Sequence, residues 1–359
     1  VYKRQLGAFA TGRPVTQVTV SSGAAVDFAG VYDATYGYTI SGTGVGGTGA
    51  LTNSGATIDN GKAQASNIKL AADASVGGTG NWALLTNGYG ATSLDLAGFT
   101  LTKTGANSFV LCNATLTAGT VRISQGTIVL VTSATNGAAA AFTLDNTAAV
   151  TLDLNGQNLS VGSLAGGGTT GGNVTLGSAT LTAGALNTNT SFGGIISGTG
   201  ALTKSGTGTL TLSGVNTYSG VTTVNAGKLA ITGGANTANG GLGSSSIVVN
   251  NGGTLEVGDQ DTLGWTTNRN VLTINTGGTV TIVTGKRATL ATTVNMTGGT
   301  LTAVGAGDTW GNYSLFNGAG VTATSDASGN AALISAAKVG LQDSGGLTTL
   351  NVARGAQSP

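Results

Sequence analysis

The chain has 359 residues, 64 of them Gly and 2 Pro, with 40% apolar, 5% aromatic and 8% charged residues and a net charge of +1. That apolar fraction excludes disorder, which needs low hydrophobicity or high net charge, and Gly does not recur at every third position as collagen requires. The 14 Lys and Arg are scattered singly, which excludes a nucleic-acid or anionic-membrane surface, and no run approaches the ~18 apolar residues of a membrane helix.

The first residue is Val, and VYKRQLGAFATGRP has no apolar signal-peptide core, so a processed chain or a fragment is expected. Residues 1–50 hold Tyr2, Tyr32, Tyr36 and Tyr38 and fit the later pattern poorly, as irregular first coils or a cap would. Residues 51–320 are short Thr/Leu/Val alternations punctuated by Gly and Asn, with a strand period and no helical one. Inside them LTKTGANSFVLCNATLTAGTVRISQGTIVL (101–130) recurs as LTKSGTGTLTLSGVNTYSGVTTVNAGKLAI (202–231). Leu101, Lys103, Gly105, Leu111, Gly119 and Gly126 return as Leu202, Lys204, Gly206, Leu212, Gly220 and Gly227. Repetition of β-type units marks a solenoid, whose coils bury their apolar faces against one another. Cys112 aligns with Ser213 on the outward row, where a partly covered, incidental thiol is expected; as the sole Cys it builds no disulfide framework. The tail 321–359 reads as a C-terminal cap or strands, opening with a hairpin; within it AALISAAKVG is better read as a strand pair than as a helical turn.

A shorter period runs through the second copy and beyond. Asn225, Asn250 and Asn275 are 25 residues apart, and Asn295 follows after 20. Coils of this size predict an Asn ladder at one corner, with amides about 4.8 Å apart bonding from coil to coil. The Gly pairs after these Asn residues supply the positive φ of the corner. Leu255, Val280 and Leu301 then point inward. A stack of ~17 coils would be a rod of roughly 80 Å.

The stretches TLDLNGQNLSVGSLAGGG (151–168), NVTLGSATLTAG (173–184) and SGTGALTKSGTGTLTLSGVNTYSGVTTVNAGKL (197–229) resemble the autotransporter-associated β-strand repeat, or passenger-associated transport repeat, as does GLGSSSIVVNNGGTLEVG (241–258). The resemblance implies an all-β, right-handed parallel β-helix (β-solenoid) exported to the cell surface or secreted. The hand agrees with the crossover rule for parallel strands. The chain departs from the autotransporter plan in having no C-terminal barrel of long amphipathic strands.

Absence of His removes the usual general base, the Ser-His-Asp triad and the commonest metal ligand. The densest acidic cluster, Glu256, Asp259 and Asp261 with Trp265 nearby, reads as a solvated turn rather than a catalytic or Ca²⁺ site. Asp95 and Asp153, at matching places in SLDLAG and TLDLNG, read as turn residues. The TxT triplets Thr100–Thr102, Thr209–Thr211, Thr279–Thr281 and Thr300–Thr302 are not spaced by one period and are not expected to align into a flat Thr face. No enzyme activity, cofactor or metal is expected. The expected function is a structural subunit of a surface filament assembled head to tail, through Tyr2, Tyr32, Tyr36, Tyr38, Leu347, Leu350 and Val352. A monomeric passenger or adhesin fragment with a glycan or cell-surface ligand is the alternative, and a glycan-active enzyme the weaker one.

Overall fold

The computed structural model describes residues 16–31, 36–57, 65–84, 92–131, 137–237, 240–243, 246–264, 271–290, 293–307, 311–316, 320–337, 339–342 and 349–353. The chain is all-β, a parallel β-solenoid of about 13 coils with 2% helix. The expectation of ~17 coils assumed coils nearer the β-helix minimum. Observed coils run from 19 residues, Leu210 to Leu229, up to 33, Leu301 to Ile334, because some carry a third strand and longer corners. Two compact units divide the chain, residues 1–181 and 182–359.

In the first unit one ladder runs Leu51–Asn53, the second half of Asn67–Gly78, Thr100–Lys103, Gly119–Ile123, Ala140–Leu144 and Ser163–Gly166. A second runs Trp82–Leu84, Ser108–Leu111, Thr127–Leu130, Thr151–Asp153 and Asn173–Thr175. The strand Asn67–Gly78 also pairs, through its first half, with Tyr36–Gly42, which pairs in turn with Thr16–Val20. Residues 16–42 therefore already contribute parallel strands.

In the second unit one ladder runs Thr190–Phe192, Thr209–Leu212, Gly227–Ile231, Gly253–Val257, Thr279–Ile282, Thr300–Ala303 and Leu333–Ser335. Another runs Ala201–Lys204, Thr222–Val224, Ser246–Val249, Val271–Ile274, Val294–Thr297, Gly320–Thr324 and Thr349–Ala353. A third, shorter ladder joins Ala288–Leu290, Tyr313–Phe316 and Val339–Gln342. The tail does not open with a hairpin. Gly320–Thr324 and Leu333–Ser335 pair with different strands of the preceding coil and not with each other, so the chain simply keeps winding. The AALISAAKVG segment holds the strand Leu333–Ser335 and the start of Val339–Gln342.

Alternation in the strands sets the core. In TLTL, Leu210 and Leu212 are buried while Thr209 and Thr211 face out half-covered. Register then stacks like on like. Leu210, Leu229, Leu255, Val280 and Leu301 form one inward column, and Phe192, Leu212, Ile231, Val257 and Ile282 a second. Each fully buried side chain of this kind contributes about 1.5–3 kcal/mol, so the columns carry most of the cohesion between coils.

The outward columns correct one expectation. Thr279 and Thr281 lie directly beside Thr300 and Thr302, and Thr209 and Thr211 occupy the same two columns. Unequal coil lengths are absorbed in the corners and loops, so they do not shift the strand register. Lys228 and Ala230, then Thr254 and Glu256, interrupt the Thr array between these triplets.

Candidate functional site

Asn225, Asn250 and Asn275 each follow the last residue of a strand on one face, where the chain turns a corner. The backbone N–H of Asn250 donates to the Val224 carbonyl, and that of Asn275 to the Val249 carbonyl, both at 2.9 Å. That puts the three side chains in line. Asn250 Nδ2 donates to Asn225 Oδ1, and Asn275 Nδ2 to Asn250 Oδ1, each at 2.7 Å. The two glycines that follow divide the work. Gly252 and Gly277 hold φ of 76° and 71°. A Cβ on Gly253 or Gly278 would instead lie 2.4 Å from the Val224 or Val249 carbonyl oxygen, so here close coil approach is what excludes a side chain. Asn295 is not in the column. It sits inside the strand Val294–Thr297 opposite Thr273, two places short of Asn275, because the coil between them is shorter.

The two repeat copies share a second device that sequence reading left unassigned. Lys103 and Lys204 occupy inward positions of TLTK and ALTK and are 0% and 1% exposed. Lys103 Nζ donates to the carbonyls of Thr104 (2.7 Å), Gly105 (2.8 Å) and Gln125 (3.2 Å), and to Asn107 Oδ1 (2.9 Å). Lys204 Nζ donates to the carbonyls of Ser205 (2.6 Å), Gly206 (2.7 Å) and Ala226 (3.1 Å). None of these partners is a carboxylate. Burial pulls both amines below their ordinary value, Lys103 to about 7. The signal was available: Lys103 and Lys204 stand where the alternation calls for an apolar residue.

The second copy also buries Asn216 and Tyr218 of its VNTYSG segment. Asn216 Oδ1 accepts from the Ile196 N–H at 2.9 Å, and Nδ2 donates to the Gly241 carbonyl at 2.8 Å, so one side chain ties three coils. Tyr218 is fully buried, its hydroxyl 2.6 Å from Thr222 Oγ1, and burial raises its pKa. In the first copy Thr115 and Thr117 stand at these places.

Each acid of the 256–261 cluster is paired with a cation. Glu256 accepts from Lys228 Nζ at 2.9 Å and Asp259 from Lys286 Nζ at 2.5 Å. Asp261, 1% exposed, accepts from Arg287 and from the N–H and hydroxyl of Thr289, both at 2.8 Å. The Lys286 hydrogen bond holds the Asp259 carboxyl below its usual range. Among the described residues no group of three His, Cys, Asp or Glu could hold a metal, and Trp265 lies outside them. Asp95 and Asp153 accept from the N–H two residues on, Ala97 at 3.1 Å and Asn155 at 2.9 Å. Those two residues adopt φ of 50° and 46°. Asp27 repeats the turn in VDFAG, accepting from Ala29 N–H at 3.0 Å.

Of the expected assembly residues, Tyr2, Tyr32 and Leu347 lie outside the described residues. Tyr36 is half-buried in its strand, whereas Tyr38 is fully buried with its ring edge-on to Phe28 at 5.8 Å, which removes it from any surface. Leu350 and Val352 lie on the strand Thr349–Ala353, in register with Val321 and Ala323. Cys112 is buried, not partly covered. It packs with Ala83 and Val110, and burial raises its thiol to about 11.

The family model described as Passenger-associated-transport-repeat matches residues 101–130 and 202–231. No curated protein and no solved structure matches the chain. Each match spans two successive coils on two faces: Thr100–Lys103 and Ser108–Leu111 under Gly119–Ile123 and Thr127–Leu130, and Ala201–Lys204 and Thr209–Leu212 under Thr222–Val224 and Gly227–Ile231. The chain thus carries two passenger-associated transport repeats, one in each compact unit, within a parallel β-solenoid that fits an autotransporter passenger-type β-helix.

Proposed function

We propose that the chain is a structural, non-catalytic β-solenoid of the cell surface or extracellular space that assembles end to end into a filament. The observation that carries this reading is the strand Thr349–Ala353. It pairs along five residues with Gly320–Thr324, and among the described residues it pairs with no strand on its other edge. In the first unit Thr16–Val20 likewise pairs with Tyr36–Gly42 alone among the described residues. Such edges are templates for another strand, and a head-to-tail contact that does not close yields a fibre. The repeat suggests a surface or secreted location, and among the described residues no helix is long and apolar enough to cross a membrane.

A second reading, a monomeric passenger that displays a binding face, is favoured by one groove in the first unit. It has a volume of about 490 Å³ and is lined by Asp27, Thr52, Ser54, Thr79, Thr104 and Gln125. Its hydroxyls, amide and carboxylate suit a neutral glycan. Electron microscopy and sedimentation at two protein concentrations separate the readings. Filaments that lengthen with concentration support assembly, and a monomer at both concentrations supports display.

A further inference from the structure

The lysine of each repeat sits at a corner that is one residue too long. Between Lys103 and Ser108 lie four residues, 104–107, while the same corner one coil on, between Ile123 and Thr127, has three, 124–126. The second copy repeats the difference, with 205–208 set against 225–227, because Lys204 pairs with Val224 and Thr209 with Lys228. The longer corner turns two consecutive carbonyls inward, those of Thr104 and Gly105 or of Ser205 and Gly206, and the shorter one adds a third, that of Gln125 or Ala226. Positive φ at Gly105 (74°) and Gly206 (68°) aims them there. Three oxygens converge on one point, and every one of them is an acceptor. A buried carbonyl without a donor is costly.

We propose that each repeat contains an oxygen cage for an ammonium cation, which the chain fills with its own lysine, and that this clasp fastens the long corner of one coil to the short corner of the next. The cage draws oxygens from both coils, so the cation bridges them. The lysine stem continues an inward column otherwise made of apolar side chains: Val76, Lys103, Ile123 and Leu144 in the first unit, and Lys204, Val224, Val249 and Ile274 in the second. Two cages of one design, in separate units and on divergent sequence, are independent instances of the arrangement.

The rival expectation is that an apolar side chain fills the space as well or better, as often happens when buried charges are replaced. Hydrogen exchange at about pH 6, where even an amine near 7 keeps its proton, decides between them. In Lys204→Met, amides of 202–231 should lose at least about tenfold in protection, the worth of hydrogen bonds to a charged group. Lys228→Met, on the outward row of the same repeat, should leave the two corners unchanged. Protection equal to or above wild type in Lys204→Met overturns the clasp. Lys204→Ala opens the cage and should regain protection in ammonium chloride but not in tetramethylammonium chloride at equal ionic strength. If Lys204→Met does not fold, this pair of salts still decides: recovery specific to ammonium supports the clasp, and recovery in neither salt or equally in both overturns it.

Discussion

At the scale of single residues, burial and pairing assign each side chain a distinct cost. Leu212 is fully buried between Phe192 and Ile231, whereas Thr211 faces out between Ser191 and Ala230. Leu212→Asp should therefore destabilise by more than about 3 kcal/mol, since it buries a charge with no partner. Thr211→Asp should be near neutral, and urea midpoints of the two variants check the contrast. Asp145 offers a test by pH. The Arg122 guanidinium, bonded to both carboxylate oxygens at 2.9 Å, holds its pKa down, and the Ser124 hydroxyl adds to this. A folded pKa below the unfolded value means that the unfolded chain takes up the proton first as pH falls. The stabilisation is present above the ordinary carboxylate value and is lost as pH drops through the folded one. Between about pH 5 and about pH 2, wild type should lose more stability than Asp145→Asn. Thermal melts across that range measure it, and equal losses would show that the pair contributes nothing.

At the scale of an element, the corner decides how coils meet. Asn250 both donates to Asn225 and accepts from Asn275, so Asn250→Ala removes two coil-to-coil bonds. It should cost about 1 kcal/mol. Asn295→Ala, outside the column, should cost less, and chemical denaturation of both variants tests the difference. The ladder was legible in sequence because two equal spacings of 25 residues keep the corner in phase. Asn295 was misplaced because a spacing of 20 reaches the partner strand before the corner arrives. The lysine cage was not legible, because its acceptors are backbone carbonyls, which carry no residue signature. Only the unexpected Lys at an inward position hinted at it.

At the scale of the whole molecule, parallel pairing makes every coil both a support and a template for the next. Deleting residues 347–359 should leave a β-rich fold by circular dichroism and abolish filaments seen by electron microscopy. That deletion removes the strand Thr349–Ala353 and bares Gly320–Thr324 in its place. Filaments that persist unchanged would place the contact elsewhere. A wild type that stays monomeric would leave the display reading.

By itself the sequence determined the strand character, the inward and outward rows, the repetition and the three-membered Asn column. These follow from local alternation and from spacings that recur unchanged along the chain. Tertiary structure decided what depends on register between coils of unequal length. It drew Thr209 and Thr211 into the columns of Thr279 and Thr281, covered Cys112, neutralised Glu256, Asp259 and Asp261, and wound the tail onward where a hairpin was expected. The physical reason is that strand pairing is non-local. Corners take up the differences in length, and a corner's inward-turned carbonyls become visible only when the next coil is in place.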